Sequence, residues 1–183
     1  VSCRDTGGVC IPKIIHQLWI GPKPAPDKWM RTWRDLHPDW HYVLWDERRI
    51  EAMHWTNQRH IEHYWREQAW HGVSDVCQYE ILYTFGGIMI GADSECLYPV
   101  DELFQGTRYD AFAVYEQERI RPGLMSPLMA CTVGNEFARA LIVGLSDKKE
   151  LTEKPWRETG NLYMKIMYER TRYKRLKIFP SHY

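Results

Sequence analysis

The stretch from Ser74 to Cys96 constrains the fold more than any other part of the chain. Apolar residues recur there at helical spacing, and the pattern predicts a helix with Ser74 as its N-cap. Gly86 and Gly87 then end the helix, because glycine readily takes the backbone conformation that a tight turn into a strand needs. The apolar run Ile88–Ile90 predicts a short strand buried on both faces, as in a parallel sheet. The acidic turn after this strand, which holds Asp93 and Glu95, lies where open α/β sheets bind ligands.

The rest of the chain alternates between strand and helix patterns, which is typical of α/β folds. The strand–helix–strand start indicates a Rossmann-like half of the kind that binds nucleotides. We find no repeat or linker and expect one domain over residues 1–183, with residues 1–10 as a leader. Predicted strands are 13–20, 40–45, 110–115, 125–133 and 176–179, and predicted helices are 27–36, 51–70, 135–145 and 160–170.

Composition narrows the class of protein. The 24 Lys and Arg residues balance the 24 Asp and Glu residues, so no bulk field favours nucleic acid. No stretch approaches the roughly 20 apolar residues of a membrane span, and no signal peptide is expected at the start. Five cysteines are an odd number, which argues against a fully paired framework and favours a cytoplasmic setting. Cys3 and Cys10 could pair, whereas Cys77 and Cys96 are expected to be small buried hydrophobes.

Three motifs in order carry a resemblance to a known family. They are IPKIIHQLWIG (Ile11–Gly21), HPDWHYVLWDE (His37–Glu47) and the segment Ser74–Asp93. Together they resemble the DXD-containing sugar-transferase family, which includes yeast-type initiating mannosyltransferases and bacterial capsule-type enzymes. Its catalytic core is similar to that of the large clostridial glucosylating toxins. The resemblance implies a GT-A fold with a mixed central sheet, a UDP- or GDP-sugar donor, Mn²⁺ or Mg²⁺, a hydroxyl acceptor on a glycan, lipid or protein, and retention at the anomeric carbon.

The resemblance also implies roles for individual residues. Trp19 matches an aromatic residue that stacks on the base, although core packing is an alternative role for it. Asp75 matches an aspartate that hydrogen-bonds sugar hydroxyls, and it would also complement the helix dipole. Further donor-binding positions implied by the motif are Gln78, Gly87, Gly91 and Ala92.

Two positions depart from the family pattern. Gly91 stands where the first aspartate of the DXD motif is expected, and Asp93 stands at the second. Gln78 stands where relatives usually carry arginine, so one negative and one positive charge are lost together. This indicates either a rebuilt site or a degenerate one that only binds a sugar or nucleotide. We expect Asp93 to bind the metal, with Glu95 either a second ligand or a surface acid.

Three other features have competing interpretations. Asp46 either lies near the nucleotide or caps a helix. His60 and His63 have a spacing that could hold a metal, but a surface helix is the simpler interpretation. Relatives close a C-terminal lid over the diphosphate, and His182 is a candidate for that role, although the lid could be absent or cut short. The sequence leaves the sugar, the base, the acceptor and the oligomeric state open.

Overall fold

The computed structural model describes residues 9–104 and 107–182. The first half of the chain forms β1 (Ile14–Leu18), α1 (Asp27–Leu36), β2 (His41–Trp45), α2 (Glu47–Ala52), α3 (Gln58–Arg66), α4 (Trp70–Phe85) and β3 (Gly87–Gly91). The second half forms a short 3-10 helix (Asp101–Phe104), β4 (Ala111–Tyr115), β5 (Met125–Cys131), α5 (Glu136–Ser146), α6 (Pro155–Glu158), α7 (Asn161–Thr171) and β6 (Leu176–Phe179).

The described strands form one six-stranded sheet in the order β2-β1-β3-β5-β4-β6. Strand β1 pairs in parallel with β2 and β3, whereas β5 runs antiparallel to both β3 and β4. Strand β6 is parallel to β4. The carboxyl ends of every described strand except β5 therefore lie at one edge of the sheet. The predicted mixed α/β architecture is confirmed, but β3 has a parallel neighbour on one side only.

Two apolar layers sandwich the sheet. The larger one joins α4, α5 and α7 to one face, with Tyr79, Phe137 and Met164 almost fully buried. The smaller one joins α1 to the other face through Trp33 and Phe112. Helix α4 is buried on nearly all sides, rather than along the single apolar face that its spacing predicts. It is therefore the central helix of the larger layer, and it is firmly held where it borders the site.

The turn at Gly86 and Gly87 confirms the prediction made from the paired glycines. Gly86 ends α4 with a φ of 64°, and Gly87 opens β3 with a φ of 91°. His16 supports this turn, because its Nε2–H donates to the Gly86 carbonyl at 2.9 Å while its Nδ1 accepts from Trp45 at 3.1 Å. Burial lowers the pKa of His16 to about 4, so the ring is neutral near pH 7.

Several predicted boundaries are wrong. Ser74 lies inside α4, which begins one turn earlier at Trp70, so Ser74 is not an N-cap. The predicted helix 51–70 is interrupted, because α2 ends at Ala52 and α3 begins only at Gln58.

The cysteine predictions have mixed outcomes. Cys77 and Cys96 are free and buried, as expected. The pairing of Cys3 with Cys10 stays a prediction, since Cys3 lies outside the described residues. In the portion of the chain that the structure describes, no helix has the length and apolar character needed to cross a membrane.

Candidate active site

A cleft of about 350 Å³ opens at the carboxyl ends of β1 and β3. Strand order reverses at this point, because β2 lies to one side of β1 and β3 to the other. Open α/β sheets bind ligands at such a switch point, and the volume suits a small molecule. The lining residues are Leu18, Trp19, Ile20, Pro22, Lys23, Trp70, His71, Ser74, Asp75, Gln78, Met89, Ile90, Gly91, Ala92 and Asp93.

One face of α4 forms a wall of the cleft. His71, Ser74, Asp75 and Gln78 all line it, and their spacing of three, four and seven residues places them on one side of a helix. Because α4 is packed on its other sides, these side chains project from a rigid element. The early start of α4, at Trp70, is what brings His71 into this row.

Asp75 is half-buried, and the turn between α6 and α7 supports it from behind. The Thr159 hydroxyl lies 3.3 Å from Asp75 Oδ2, and Tyr79 donates its hydroxyl to the Thr159 carbonyl at 2.5 Å. Gly160 allows this close approach, since a Cβ there would lie 2.6 Å from Asp75 Oδ2. Burial raises the pKa of Asp75 to about 7, although the Thr159 hydrogen bond opposes that rise.

The side-chain amide of Gln78 lies at the wall of the cleft, and its N–H donor is unsatisfied. The side chain is only 2% exposed, and its Nε2 has no hydrogen-bond partner among the described residues. A buried N–H group without a partner is costly, so such groups are uncommon in folded proteins. The arrangement fits a donor kept for a ligand oxygen.

The end of β3 forms the floor of the cleft. The Gly91 carbonyl accepts from the Ser94 hydroxyl at 2.6 Å and from Gln17 Nε2 at 3.3 Å. Ala92 is buried, whereas Asp93 is exposed at the cleft. A Cβ on Gly91 would lie 3.0 Å from Asp93 Oδ1. The glycine at this position therefore leaves the Asp93 carboxylate room beside the strand.

The segment after β1 forms the opposite wall. Trp19 is half-buried at the cleft, and its Nε1 donates to the Lys23 carbonyl at 2.8 Å. Gly21 has a φ of 92°, and a Cβ there would lie 2.7 Å from Trp70 Nε1. The proline-rich loop, residues 21–26 with Pro22, Pro24 and Pro26, is thus pressed against the first turn of α4.

Some residues predicted for the site lie elsewhere. Gly87 is at the opposite end of β3 from the cleft, where a Cβ would lie 2.5 Å from the Ile14 carbonyl oxygen, so it serves the turn and not the donor. Glu95 is exposed and does not line the cleft. Asp46 caps α2 by accepting from the Arg49 amide at 2.9 Å, which supports the capping interpretation.

The histidine candidates are also outside the cleft. His60 is buried, and its Nε2 lies 2.9 Å from the Leu145 carbonyl, which explains it as a structural residue. His182 follows Ser181, whose amide donates to Glu118 at 3.1 Å, and it does not line the cleft.

Within residues 9–104 and 107–182, no cluster of three His, Cys, Asp or Glu side chains could hold a metal on its own. A single carboxylate oxygen donor, Asp93, stands at the floor of the cleft and suits a hard divalent cation. Such a cation fits this site only if a ligand and water supply the remaining oxygens.

Lys23, Trp70 and His71 are among the lining residues that sequence reasoning missed. His71 was recognisable as the position one helical turn before Asp75, but the misplaced helix start hid it. Lys23 had no local signal, because its place depends on how the proline-rich loop packs on Trp70.

A family model described as "Glycosyltransferase sugar-binding region containing DXD motif" matches residues 26–110. The chain is 32% identical to inositol phosphoceramide mannosyltransferase 3 of Schizosaccharomyces pombe over 145 residues, covering 74% of this chain and 37% of that protein. It is 26% identical to a mannosyl phosphorylinositol ceramide synthase of Saccharomyces cerevisiae, covering 92% of this chain and 44% of that protein. The chain thus spans less than half the length of either relative.

Among solved structures, the fold is similar to that of the PaToxG glycosyltransferase. The TM-score is 0.69 at 14% sequence identity, and the match covers 88% of this chain and 69% of that one. The predicted GT-A fold is confirmed by this likeness.

Proposed function

Because the family model, the relatives and the likeness in fold support the DXD-containing sugar-transferase family, we propose that the chain transfers a sugar from a nucleotide-diphosphate sugar to a hydroxyl acceptor. The observation that carries the proposal is the meeting of Trp19, Asp75 and Asp93 in one cleft. They come from the segment after β1, from α4 and from the turn after β3, and only the fold brings them together. An aromatic platform and two carboxylates suit a base, a sugar and a metal-bound diphosphate, respectively.

Each residue would act on a different part of the donor. The Trp19 ring is fixed by its bond to the Lys23 carbonyl, so it offers a preorganised surface for the base. Asp75, in its ionised form, would accept hydrogen bonds from sugar hydroxyls, while Gln78 Nε2 would donate to a donor oxygen. Asp93 would hold Mn²⁺ or Mg²⁺, which as a Lewis acid supplies charge stabilisation to the departing diphosphate.

Retention is part of the proposal. The bond from the anomeric carbon to the diphosphate oxygen breaks, and the acceptor hydroxyl attacks from the same face. Its proton passes to the departing phosphate oxygen, so no enzyme nucleophile is required. The chain's residues contribute by holding sugar and diphosphate in place, while helix α4 excludes water from one side of the cleft.

The acceptor that fits best is a lipid headgroup. The relatives are named for mannose transfer to inositol phosphoceramide or for synthesis of its mannosylated form, which makes mannose the first sugar to test. Beyond the acidic turn, Leu97 is 70% exposed and Tyr98 is 80% exposed. Two exposed apolar residues four and five positions after Asp93 suit a lipid-linked acceptor better than a free sugar.

A binding module without turnover is the competing function. Gly91 favours it, because the first carboxylate of the DXD pair is missing. Restoring it with Gly91→Asp separates the two: a gain of activity indicates decay, while a loss indicates a site rebuilt around Asp93.

The test is a panel of UDP- and GDP-sugars with Mn²⁺, in which hydrolysis and transfer are followed for the wild type, Asp93→Asn and Asp35→Asn. Asp35 is an exposed carboxylate on α1 outside the cleft, so its variant is the matched control. Turnover that is lost in Asp93→Asn and kept in Asp35→Asn supports the proposal. Donor binding without turnover supports the binding module, and no binding of any donor rejects both.

A further inference from the structure

The cleft must hold a diphosphate, although the arginine that relatives usually carry there is missing. Gln78 occupies that position and carries no charge. Asp75 and Asp93 both line the cleft, and carboxylates repel a diphosphate. A divalent cation at Asp93 would supply part of the positive charge, so other groups in the cleft have to replace the charge of the missing arginine.

Two basic side chains that sequence reasoning missed line the same cleft. Lys23 lies in the proline-rich loop, and His71 lies in the first turn of α4. Both are exposed, and neither forms an ion pair within the described part of the chain. The Lys23 ammonium and the His71 ring are therefore available to a ligand.

The start of α4 adds a fixed positive potential. This helix of 16 residues follows Ala69, and no side chain within the described ranges caps it. Trp70 and His71, its first two residues, line the cleft. The free N–H groups and the macrodipole at a helix N-terminus favour a bound anion.

Gln78 is an independent sign that a ligand belongs here. Its Nε2 is buried, unpartnered and on the wall of the same cleft. A ligand oxygen would satisfy this donor, and phosphate oxygens are strong acceptors.

Packing of the proline-rich loop on α4 keeps Lys23 and His71 at the same cleft. Gly21 lies against the Trp70 indole so closely that a Cβ would clash at 2.7 Å, and the Trp19 indole holds the Lys23 carbonyl. The loop that carries Lys23 is thereby fixed to the turn that carries His71.

We propose that Lys23, His71 and the first turn of α4 form an anion subsite for the diphosphate of the donor, with Gln78 Nε2 as an additional donor to a phosphate oxygen. This subsite takes over the role of the missing arginine. The inference rests on the proposed function for the identity of the ligand, but the anion chemistry can be measured without turnover.

The experiment is a calorimetric titration with inorganic pyrophosphate, and separately with UDP and GDP, in metal-free buffer. Lys23→Met and His71→Gln should each weaken binding about tenfold, the loss expected for one hydrogen bond to a charged group. Lys23→Arg should bind like the wild type. Lys28→Met and His54→Gln are matched controls, since both side chains are exposed and outside this cleft, and should stay within about twofold.

The outcomes separate the subsite from the proposed function. Unchanged binding in Lys23→Met and His71→Gln, or no binding of pyrophosphate to the wild type, would overturn the subsite. Sugar transfer with an unchanged KM in both variants would keep the transferase and reject the subsite. Pyrophosphate binding that needs both side chains, without turnover of any donor, would keep the subsite and reject the transferase.

Discussion

Replacing Asp75 with asparagine should stabilise the protein, and increasingly so as the pH rises. The pKa of Asp75 is raised to about 7 in the folded protein from an ordinary value of 3.8. The folded state therefore holds the proton more tightly than the unfolded state, and ionisation opposes folding. The cost is absent below about pH 4, grows between about pH 4 and pH 7, and is constant above that range.

The magnitude follows from linkage. One pKa unit corresponds to about 1.4 kcal/mol, so the full cost of ionising Asp75 is about 4 kcal/mol. Between about pH 5 and pH 8 the cost grows by about 2.5 kcal/mol. Asparagine cannot ionise, yet its amide oxygen can still accept from the Thr159 hydroxyl. The stability advantage of Asp75→Asn over the wild type should grow by that amount across this range.

Urea unfolding followed by tryptophan fluorescence measures this difference. Other titrating groups, such as the buried His16, act equally on both proteins and cancel. Asp93→Asn is the matched control, because this carboxylate lines the same cleft but is exposed, and its removal should change stability little at either pH. An advantage of Asp75→Asn that stays constant from about pH 5 to pH 8 would show that the folded protein does not raise the pKa of Asp75.

Three further substitutions have distinct signatures. Gln78→Met should stabilise the free protein by about 1 kcal/mol in urea unfolding, because it removes an unsatisfied amide. It should also weaken UDP or GDP binding about tenfold in calorimetry, and a loss of stability would contradict the unsatisfied amide. Gly87→Ala should lower the free energy of unfolding in urea by about 2–4 kcal/mol, because φ is 91° and the new Cβ would lie too close to the Ile14 carbonyl oxygen. Gly134→Ala, where a Cβ meets open space, should lower it by about 1 kcal/mol. Equal losses at the two positions would contradict the close contact with Ile14. Trp19→Ala should weaken UDP and GDP binding by about 1–3 kcal/mol in calorimetry. Pyrophosphate binding should weaken by less, because it loses only the bond that holds the Lys23 carbonyl, and equal loss for all three ligands would argue against base stacking.

Local signals in the sequence predicted much of the fold. Helix α1 and strand β6 have the predicted bounds, and the paired glycines mark the turn into β3 as expected. These features depend on periodicity and backbone freedom, which act over a few residues. The direction of β5 had no such signal, because parallel and antiparallel neighbours of a buried strand look alike in sequence.

The start of α4 could not be predicted for a tertiary reason. Gly72 interrupts the helical pattern, yet it is required inside the helix because a Cβ there would lie 2.6 Å from the Tyr64 ring. The contacts that Thr159 and Gly160 make with Asp75 could not be predicted either, since both residues are more than eighty positions away from it along the chain. Motif spacing identified Asp75 and Asp93 as site candidates, while Lys23 and His71 needed the fold.

Whether Asp93 and a nucleotide diphosphate bind the same cation is measured by calorimetry of UDP and GDP binding in the presence and absence of Mn²⁺, for wild type, Asp93→Asn and Asp35→Asn. We expect Mn²⁺ to strengthen nucleotide binding at least about tenfold in the wild type and in Asp35→Asn, because the Asp93 carboxylate and the diphosphate would share the cation. We expect no such gain in Asp93→Asn. Equal Mn²⁺ enhancement in all three proteins, or none in the wild type, would contradict a shared cation at Asp93.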